Sequence, residues 1–557
     1  MNPYNYVQVN IREQGSWAHS DNAPKATEKA IKLVEAGIER VKYSRELTPV
    51  KIPSVNSVAV VGAGIAGMRA ALELAEMGTT VHLVEREHFV GGRTSQWNVL
   101  FTTNETGQEV ISRLYNDIIS HPKITLYTGT NIIAKKGSVG DFDLTLQIKP
   151  RYIKPECKLD RTKLQEAIDL CPIEVDDDFN FNITKRKAIY KNYDSEFPEI
   201  PAIDYEACNK CGECAKLCDE IDFDQQPEEK SINVGAILLS TGFNPYEPQT
   251  GEFGYNEVDN VVTLQQFKRL IELNGGKLIY NNKEIKNIAY IYCVGSRQVD
   301  GPNKYCSRYC CTSAIHTAIL VKEKYPGINN FHFNRGIRTY GKQEKLYHQA
   351  SEMGDIFLQS FEDGPPTVEK IGNETIVKIN DILTANEELE VSADLIVLVT
   401  GMTPRENSDI VNLLKVPIGR DKFFNEIHPK LRPVETVIDG VLISGACQAP
   451  LNITEAVKSS LSAASKVNSL VSLGEIELEP TMAVVHNDRC SWCDKCTNAC
   501  PYDAISTTKF NGKDVAEVNI SLCKGCGMCL PVCPENAIDL IGYTDQEMES
   551  MIEALIN

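Results

Sequence analysis

The residues best placed to do chemistry are the cysteines. The chain has nineteen of them in 557 residues, most in tight Cys-x-x-Cys runs. Cys490, Cys493, Cys496 and Cys500-Pro501 have the spacing C-x2-C-x2-C-x3-C-P, and Cys523, Cys526, Cys529 and Cys533-Pro534 repeat it. Such runs suit thiolates that converge on a small cube of iron and sulfide. The short steps wrap a loop around three corners, and the fourth cysteine of each run ligates the other cluster. One 4Fe–4S cluster is therefore expected on Cys490, Cys493, Cys496 and Cys533, and a second on Cys523, Cys526, Cys529 and Cys500. Disulfides are the competing reading. Neighbours this close bridge poorly, and a long chain in a reducing compartment favours ligation. Zinc knuckles lack the third step and the Cys-Pro.

A third run, Cys208, Cys211, Cys214 and Cys218, keeps the spacing but has Asp219 where the others have proline. The half before it is degenerate: Cys171-Pro172 survives with Cys157, and no cysteine lies between them. Exchange of fourth ligands then gives one cluster on Cys171, Cys208, Cys211 and Cys214. Cys157 and Cys218 alone leave the second site empty. A fourth group, Cys293, Cys306, Cys310 and Cys311, is spaced C-x12-C-x3-C-C. It is read as an atypical 4Fe–4S site, against the plainer reading of buried, unligated thiols. Four clusters use sixteen cysteines and leave Cys157, Cys218 and Cys447.

These ligands need elements to position them. Residues 57–61, Ser-Val-Ala-Val-Val, read as a buried strand that runs into Gly62-Ala63-Gly64-Ile65-Ala66-Gly67 and an alanine-rich helix. A second strand, residues 80–84, ends at Glu85. Strand, G-x-G-x-x-G, helix, strand and acid form a dinucleotide site: the glycines admit a pyrophosphate and Glu85 holds ribose hydroxyls. Gly91-Gly92-Arg93 resembles two-dinucleotide-binding flavoproteins, where it supports FAD. Apolar runs ending at Thr241-Gly242, at Gly401 and at Gly445-Ala446 fit that fold, the last before a helix near Ile453. The expected contacts to one FAD are Gly62, Gly64, Ile65, Ala66, Gly67, Glu85, Arg86, Gly92, Arg93, Thr241, Gly242, Gly401, Gly445, Ala446 and Ile453. Relatives such as thioredoxin reductase carry a second glycine fingerprint for NADPH. After the strand at 288–292 this chain has Cys293-Val294-Gly295-Ser296-Arg297 instead. That argues against a nicotinamide-dependent disulfide reductase, and against a flavoprotein like the small subunit of glutamate synthase. No conventional nucleophile or acid–base pair appears, so no catalytic side chain is named.

The expected fold is α/β: a two-dinucleotide-binding, thioredoxin-reductase-like flavoprotein with inserted and C-terminal ferredoxin-like α+β domains. The expected divisions are an N-terminal helical and dimer element at 1–52, a first FAD-binding part at 53–149 and an inserted ferredoxin-like domain at 150–232. A degenerate nucleotide domain with the atypical cluster follows at 233–385, then a second FAD-binding part at 386–475 and a two-cluster ferredoxin domain at 476–557. A net charge of −19 repels nucleic acid and acidic lipid. No secretory signal or apolar run of spanning length is visible, so a cytoplasmic location is expected.

Across nearly its whole length the chain resembles the A-type subunit of heterodisulfide reductase. The resemblance is carried by Asn10-Ile11-Arg12-Glu13-Gln14, Ser16-Trp17 and His19, by Ala26-Thr27-Glu28-Lys29-Ala30, by Tyr305-Cys306-Ser307-Arg308 with Cys310-Cys311, and by Cys447-Gln448. It implies a flavin that splits electron pairs between a high-potential branch and ferredoxin, by bifurcation or its reverse. It also implies B- and C-type partner subunits that reduce a CoM-S-S-CoB-type heterodisulfide. A small iron–sulfur linker would join the chain to a hydrogenase, a formate dehydrogenase or a deazaflavin-coenzyme oxidoreductase. A homodimer or a dimer with a paralogue is implied too. The departures are a shortened N-terminus, Gly15 where many members have cysteine, no cysteines at 102–107, the degenerate inserted site and His316. Five residues after Cys311, many members place a lysine beside the flavin. The resemblance thus implies His316 as a further FAD contact, against the plainer reading of a helix-surface side chain; a histidine can be neutral near pH 7, and a non-bifurcating FAD and iron–sulfur relay is the alternative.

Overall fold

The computed structural model describes residues 2–154, 161–193 and 195–557. Cys157 lies outside the described residues, so the expectation about it is untouched. The chain divides into two compact units: one of 1–54, 138–140 and 473–557, the other of 55–137 and 141–472.

In the larger unit one arrangement occurs twice. A five-stranded parallel sheet runs Val441–Ile443, Ala236–Leu239, Ser57–Val61, Thr80–Val84, Ile124–Tyr127, and beside it in the chain is an antiparallel sheet of Glu228–Val234, Asp141–Ile148 and Thr130–Ser138. A second parallel sheet runs Val261–Thr263, Leu395–Thr400, Asn287–Val294, Asn329–Asn334, Ile356–Gln359, with its own antiparallel sheet of Thr367–Ile371, Glu374–Asp381 and Glu387–Ala393. Val58, Ala59 and Val60 are buried, as are Leu395 to Val399. Parallel strands covered on both faces read as unbroken apolar runs for this reason. The doubling defines a two-dinucleotide-binding flavoprotein fold.

The strand Leu395–Thr400 corrects one expectation. Its sequence places it in the second FAD-binding part, beginning at 386. It pairs instead with Val261–Thr263 and Asn287–Val294 in the second sheet. An apolar run does not say which parallel sheet it joins; the crossover connection decides that.

The segment between Ile148 and Glu228 forms a small body. It is built from the Arg161–Asp169 helix and two short antiparallel pairs, Glu174–Asp176 with Lys185–Lys187 and Ile189–Tyr190 with Ala202–Ile203. Its core is Ile153, Ala167, Cys171, Ala188, Ile189, Ile203 and Cys214.

In the smaller unit, Ala483–Val485 pairs with Ile538–Leu540 and Ile505–Phe510 with Lys513–Val518. The Asp545–Ile556 helix is started by a capping box in which Thr544 and Glu547 satisfy each other's backbone N–H. It belongs with the Ala23–Tyr43 helix: Arg40 donates to the Gly542 carbonyl at 2.9 Å and Ser44 Oγ to Glu547 at 3.2 Å.

Candidate flavin cavity and cysteine tetrads

A cavity of about 960 Å³ opens at the C-terminal ends of the first sheet, where ligands bind in open α/β sheets. The sequence builds it locally. Gly62 takes φ +107, and a Cβ there would meet the Ser240 carbonyl at 2.4 Å; one on Gly67 would stand 1.8 Å from the Gly62 carbonyl. These two glycines let helix and strand touch. Gly64 has nothing within 4 Å of its Cβ position, and the Ile65–Glu76 helix that it precedes has no side-chain cap. Its first N–H groups are left for an anion, as a pyrophosphate requires.

Glu85 is buried. Its Oε2 accepts from Ala63 N at 2.6 Å and its Oε1 from Glu87 N at 3.0 Å. Burial raises its carboxyl, and the two N–H bonds pull against that rise. Each oxygen keeps a lone pair for ribose hydroxyls. Arg93 donates to Gln96 at 3.1 Å and to Asn244 at 3.1 Å. Among the described residues Arg93 Nε, Thr102 Oγ1 and Thr241 Oγ1 find no hydrogen-bond partner and are buried on this wall. Orphaned groups around an open cradle fit a bound polar cofactor.

Of the expected FAD contacts, Gly62, Gly64, Ile65, Ala66, Glu85, Arg86, Gly92, Arg93, Thr241, Gly242, Ala446 and Ile453 line the cavity. Gly67, Gly401, Gly445 and His316 do not. Gly67 is spent on the helix–strand contact. A Cβ on Gly445 would meet Ala66 Cβ at 2.7 Å, so that glycine also serves packing. Gly401 ends a strand of the other sheet, where a Cβ would meet Ser307 Oγ at 2.6 Å. His316 is 5% exposed, sits behind Phe101 with ring centroids 6.3 Å apart, and its Nδ1 has no partner among the described residues. Burial, then the charge of Lys268, push it down to about 4. Lys268, Arg405, Glu87, Thr130 and Tyr309 also line the cavity. No local spacing marks them; only the fold brings them there.

The thiols gather in four groups. Cys293, Cys306, Cys310 and Cys311 act on one another electrostatically, and a Cys310–Cys311 hydrogen bond raises the first thiol and lowers the second. The strand Asn287–Val294 shifts register between Ile291 and Val294, and Cys293 there takes φ +62. A bulge of this kind re-aims a side chain. Ser307 N donates to Ser296 Oγ at 3.0 Å and Met402 N to Ser307 Oγ at 2.9 Å, pinning the Cys306 loop to the sheet. Arg297 Nη1 approaches Cys293 Sγ at 3.9 Å; the Arg335 charge also acts on Cys293, and Arg338's on Cys311. Arg308, beside Cys306, pairs at 2.5 Å with Glu455, in the capping box of the Ile453–Val471 helix. The Cys310–Lys324 helix joins the two sites: Tyr309 and Ser313 line the cavity, and Cys310 and Cys311 lie between them.

In the inserted body Cys214 is raised by burial, then by Cys208, Cys171 and Cys211. Cys218 is buried and donates to Glu220 at 3.4 Å. In the smaller unit Cys490, Cys493, Cys496 and Cys533 ring one pocket with Trp492. Cys529 is pushed up to about 11 by burial and feels Cys523, Cys526 and Cys500. Both groups have the exchanged composition. Backbone N–H groups of Ala516, Ala537, Ala504 and Ala483 point at Cys490, Cys533, Cys500 and Cys523 at 3.3–3.5 Å, the contacts that tune cluster potentials. Among the described residues no group is arranged to hold a single metal ion; ligands of a cube stand apart, one to each iron corner. Cys447 joins no group. Its thiol, raised by burial to about 11, donates to Ser444 O at 3.1 Å.

Comparison with known proteins agrees with this class. A family described as 4Fe-4S dicluster domain matches 483–540, and one described as FAD dependent oxidoreductase matches 57–136. The A-type iron-sulfur subunit of CoB--CoM heterodisulfide reductase from Methanocaldococcus jannaschii is 36% identical over 100% of this chain and 86% of its own length. One of its counterparts in Methanopyrus kandleri is 37% identical over 92% of this chain and 79% of its own. The A-type subunit of the ferredoxin/F(420)H(2)-dependent CoB-CoM heterodisulfide reductase of Methanosarcina acetivorans is 34% identical over 91% of this chain and 64% of its own. Among solved structures, thioredoxin reductase of T. acidophilum aligns with a TM-score of 0.42 at 14% identity, over 74% of this chain and 98% of its own. The chain belongs to the family of heterodisulfide reductase A-type subunits. It is an oxidoreductase subunit that carries FAD and iron–sulfur clusters. Among the described residues no helix is long and apolar enough to cross a membrane.

Proposed function

We propose that the chain holds one FAD and four 4Fe–4S clusters, and that its flavin exchanges electron pairs for single electrons within a heterodisulfide-reductase-like complex. The observation that carries this is the Cys310–Lys324 helix. It gives Ser313, with Tyr309 at its N-cap, to the flavin cavity and Cys310 and Cys311 to a tetrad, where a nicotinamide site would need glycines. FAD, when bound, supplies the two-to-one electron exchange. The protein's part is to seat the pyrophosphate on Gly62 to Ala66, orient the ribose through Glu85 and hold a one-electron acceptor against the far wall. Gly67 keeps the seat's helix against its strand. One branch then serves a heterodisulfide of the CoM-S-S-CoB type through B- and C-type subunits. The other serves ferredoxin, and a small iron–sulfur linker feeds electrons in from a hydrogenase, formate dehydrogenase or deazaflavin-coenzyme oxidoreductase. A homodimer or a dimer with a paralogue completes the assembly.

A second reading, a non-bifurcating relay, draws on His316, which is buried and neutral where a lysine charge serves other members. An anaerobic potentiometric titration of the flavin decides between them. A single two-electron step supports bifurcation; two one-electron steps resolved over a wide range of potential replace it with the relay.

A further inference from the structure

We propose that Lys268 couples flavin reduction to proton uptake, as the ammonium on the cavity wall that Tyr309 and Ser313 also line, with the His316 imidazole behind it. The proposal rests on the flavin reading above. The glycine turn and Glu85 claim the pyrophosphate and ribose end, so the remaining wall, with Trp97, Phe101, Tyr309, Ser313 and Lys268, takes the ring.

Lys268 reaches that wall because its helix, Leu264–Leu273, buries Leu264, Phe267 and Ile271 in the core and turns the next residue outward. Its Nζ stands 5.3 Å from the Trp97 ring centroid. Among the described residues it has no hydrogen bond and no ion pair. The charged and titratable groups around it are few. His316 comes from the Cys310–Lys324 helix and Tyr309 from the turn before it; Tyr309 accepts from Gln265 at 3.1 Å. Arg93 comes from the Gly92–Gln96 segment. On its own helix Arg269 is turned away to Asn180 and Glu272. Among the described residues no carboxylate acts on it. Burial alone pushes Lys268 down to about 8, so it titrates where cells live. Its charge in turn helps to keep His316 free of a proton. Lys268 thus puts a cation on the wall that would take the ring.

Two electrons from an iron–sulfur donor, arriving singly, and one proton from solvent convert oxidised flavin to its reduced anion. With Lys268 already protonated nothing else changes. With Lys268 neutral, the anion draws a second proton onto Nζ. One proton per two electrons lowers the potential by about 30 mV per pH unit, and two by about 59 mV.

The test is the flavin midpoint potential of the full chain, loaded with FAD and clusters, from pH 6.5 to 9.5. The wild type should steepen from the one-proton to the two-proton slope near pH 8. Lys268→Gln should lie lower at pH 7 and hold the one-proton slope throughout. Lys268→Arg should keep the wild-type potential at pH 7 without the break, and His316→Gln should keep the break. A wild-type profile without a break overturns the proposal even if no variant folds. So does a break that survives Lys268→Gln or vanishes in His316→Gln. Failure of the chain to take up FAD at all sinks the flavin reading instead, and is seen in its absorbance before any titration.

Discussion

Gly64 and Gly67 stand three residues apart in one motif and do different things. Gly64 has open space at its Cβ position, whereas one on Gly67 would meet the Gly62 carbonyl at 1.8 Å. Gly64→Val should fold, keep its iron and lose most of its FAD, measured by absorbance against iron content. Gly67→Ala should cost about 1–3 kcal/mol by overpacking, seen as a lower Tm with or without FAD. Arg297 approaches Cys293 Sγ at 3.9 Å. A charge-assisted contact worth roughly 1–2 kcal/mol shifts a one-electron couple by on the order of 50 mV. Arg297→Gln should lower the potential of the Cys293–Cys311 cluster by about that much in an EPR-monitored titration, and leave the ferredoxin-type clusters where they are. His316 is pushed down to about 4 from an ordinary 6.5. Between those values the unfolded chain takes a proton that the folded chain refuses, so stability falls as pH drops through that window. At pH 5 this amounts to roughly 2 kcal/mol. His316→Gln should remove that share, so the Tm of the larger unit should fall less between pH 7 and 5 than in the wild type.

Exchange of fourth ligands is a property of paired loops. Cys171→Ala should cost about a quarter of the iron, because Cys208, Cys211 and Cys214 lose their fourth partner, while Cys218→Ala should cost none. Equal losses would overturn the assignment. In the C-terminal runs Cys533→Ala should disturb the cluster of the first run and Cys500→Ala that of the second. Ligand sets of this kind are legible in sequence because the spacing states both the local wrap and the swap. Membership of a parallel sheet is not, as the strand Leu395–Thr400 shows. Its apolar run is like the others, and only its pairing with Asn287–Val294 assigns it to the second sheet. Gly401 follows that strand and is spent on packing against Ser307 and Ser296.

The two compact units should behave separately on heating. Ligand that binds only the folded form stabilises by mass action, about 2.7 kcal/mol at a hundredfold excess over Kd. Stripping FAD should therefore lower one calorimetric transition, that of the larger unit, and leave untouched the one that disappears when the Cys490–Cys533 clusters are destroyed by oxidation. A single transition that moves as a whole on FAD removal would contradict this. The doubling of parallel and antiparallel sheets also explains the function at this level. One copy keeps its glycine turn and cradles a dinucleotide, and the other has exchanged that turn for a bulged strand end and thiols.

By itself the sequence was enough to state the cysteine groupings, the dinucleotide turn and the class of cofactor, because each is written as a motif of fixed spacing whose repeat also names the swapped partner. The loss of the nicotinamide fingerprint was equally plain. What only the tertiary structure decided is which groups meet across long separations. Lys268 joins His316 and the cavity wall, Arg308 joins Glu455, and Leu395–Thr400 joins the second sheet. Such meetings are set by the packing of helices on sheets and by crossover order, and neither leaves a local mark on the chain.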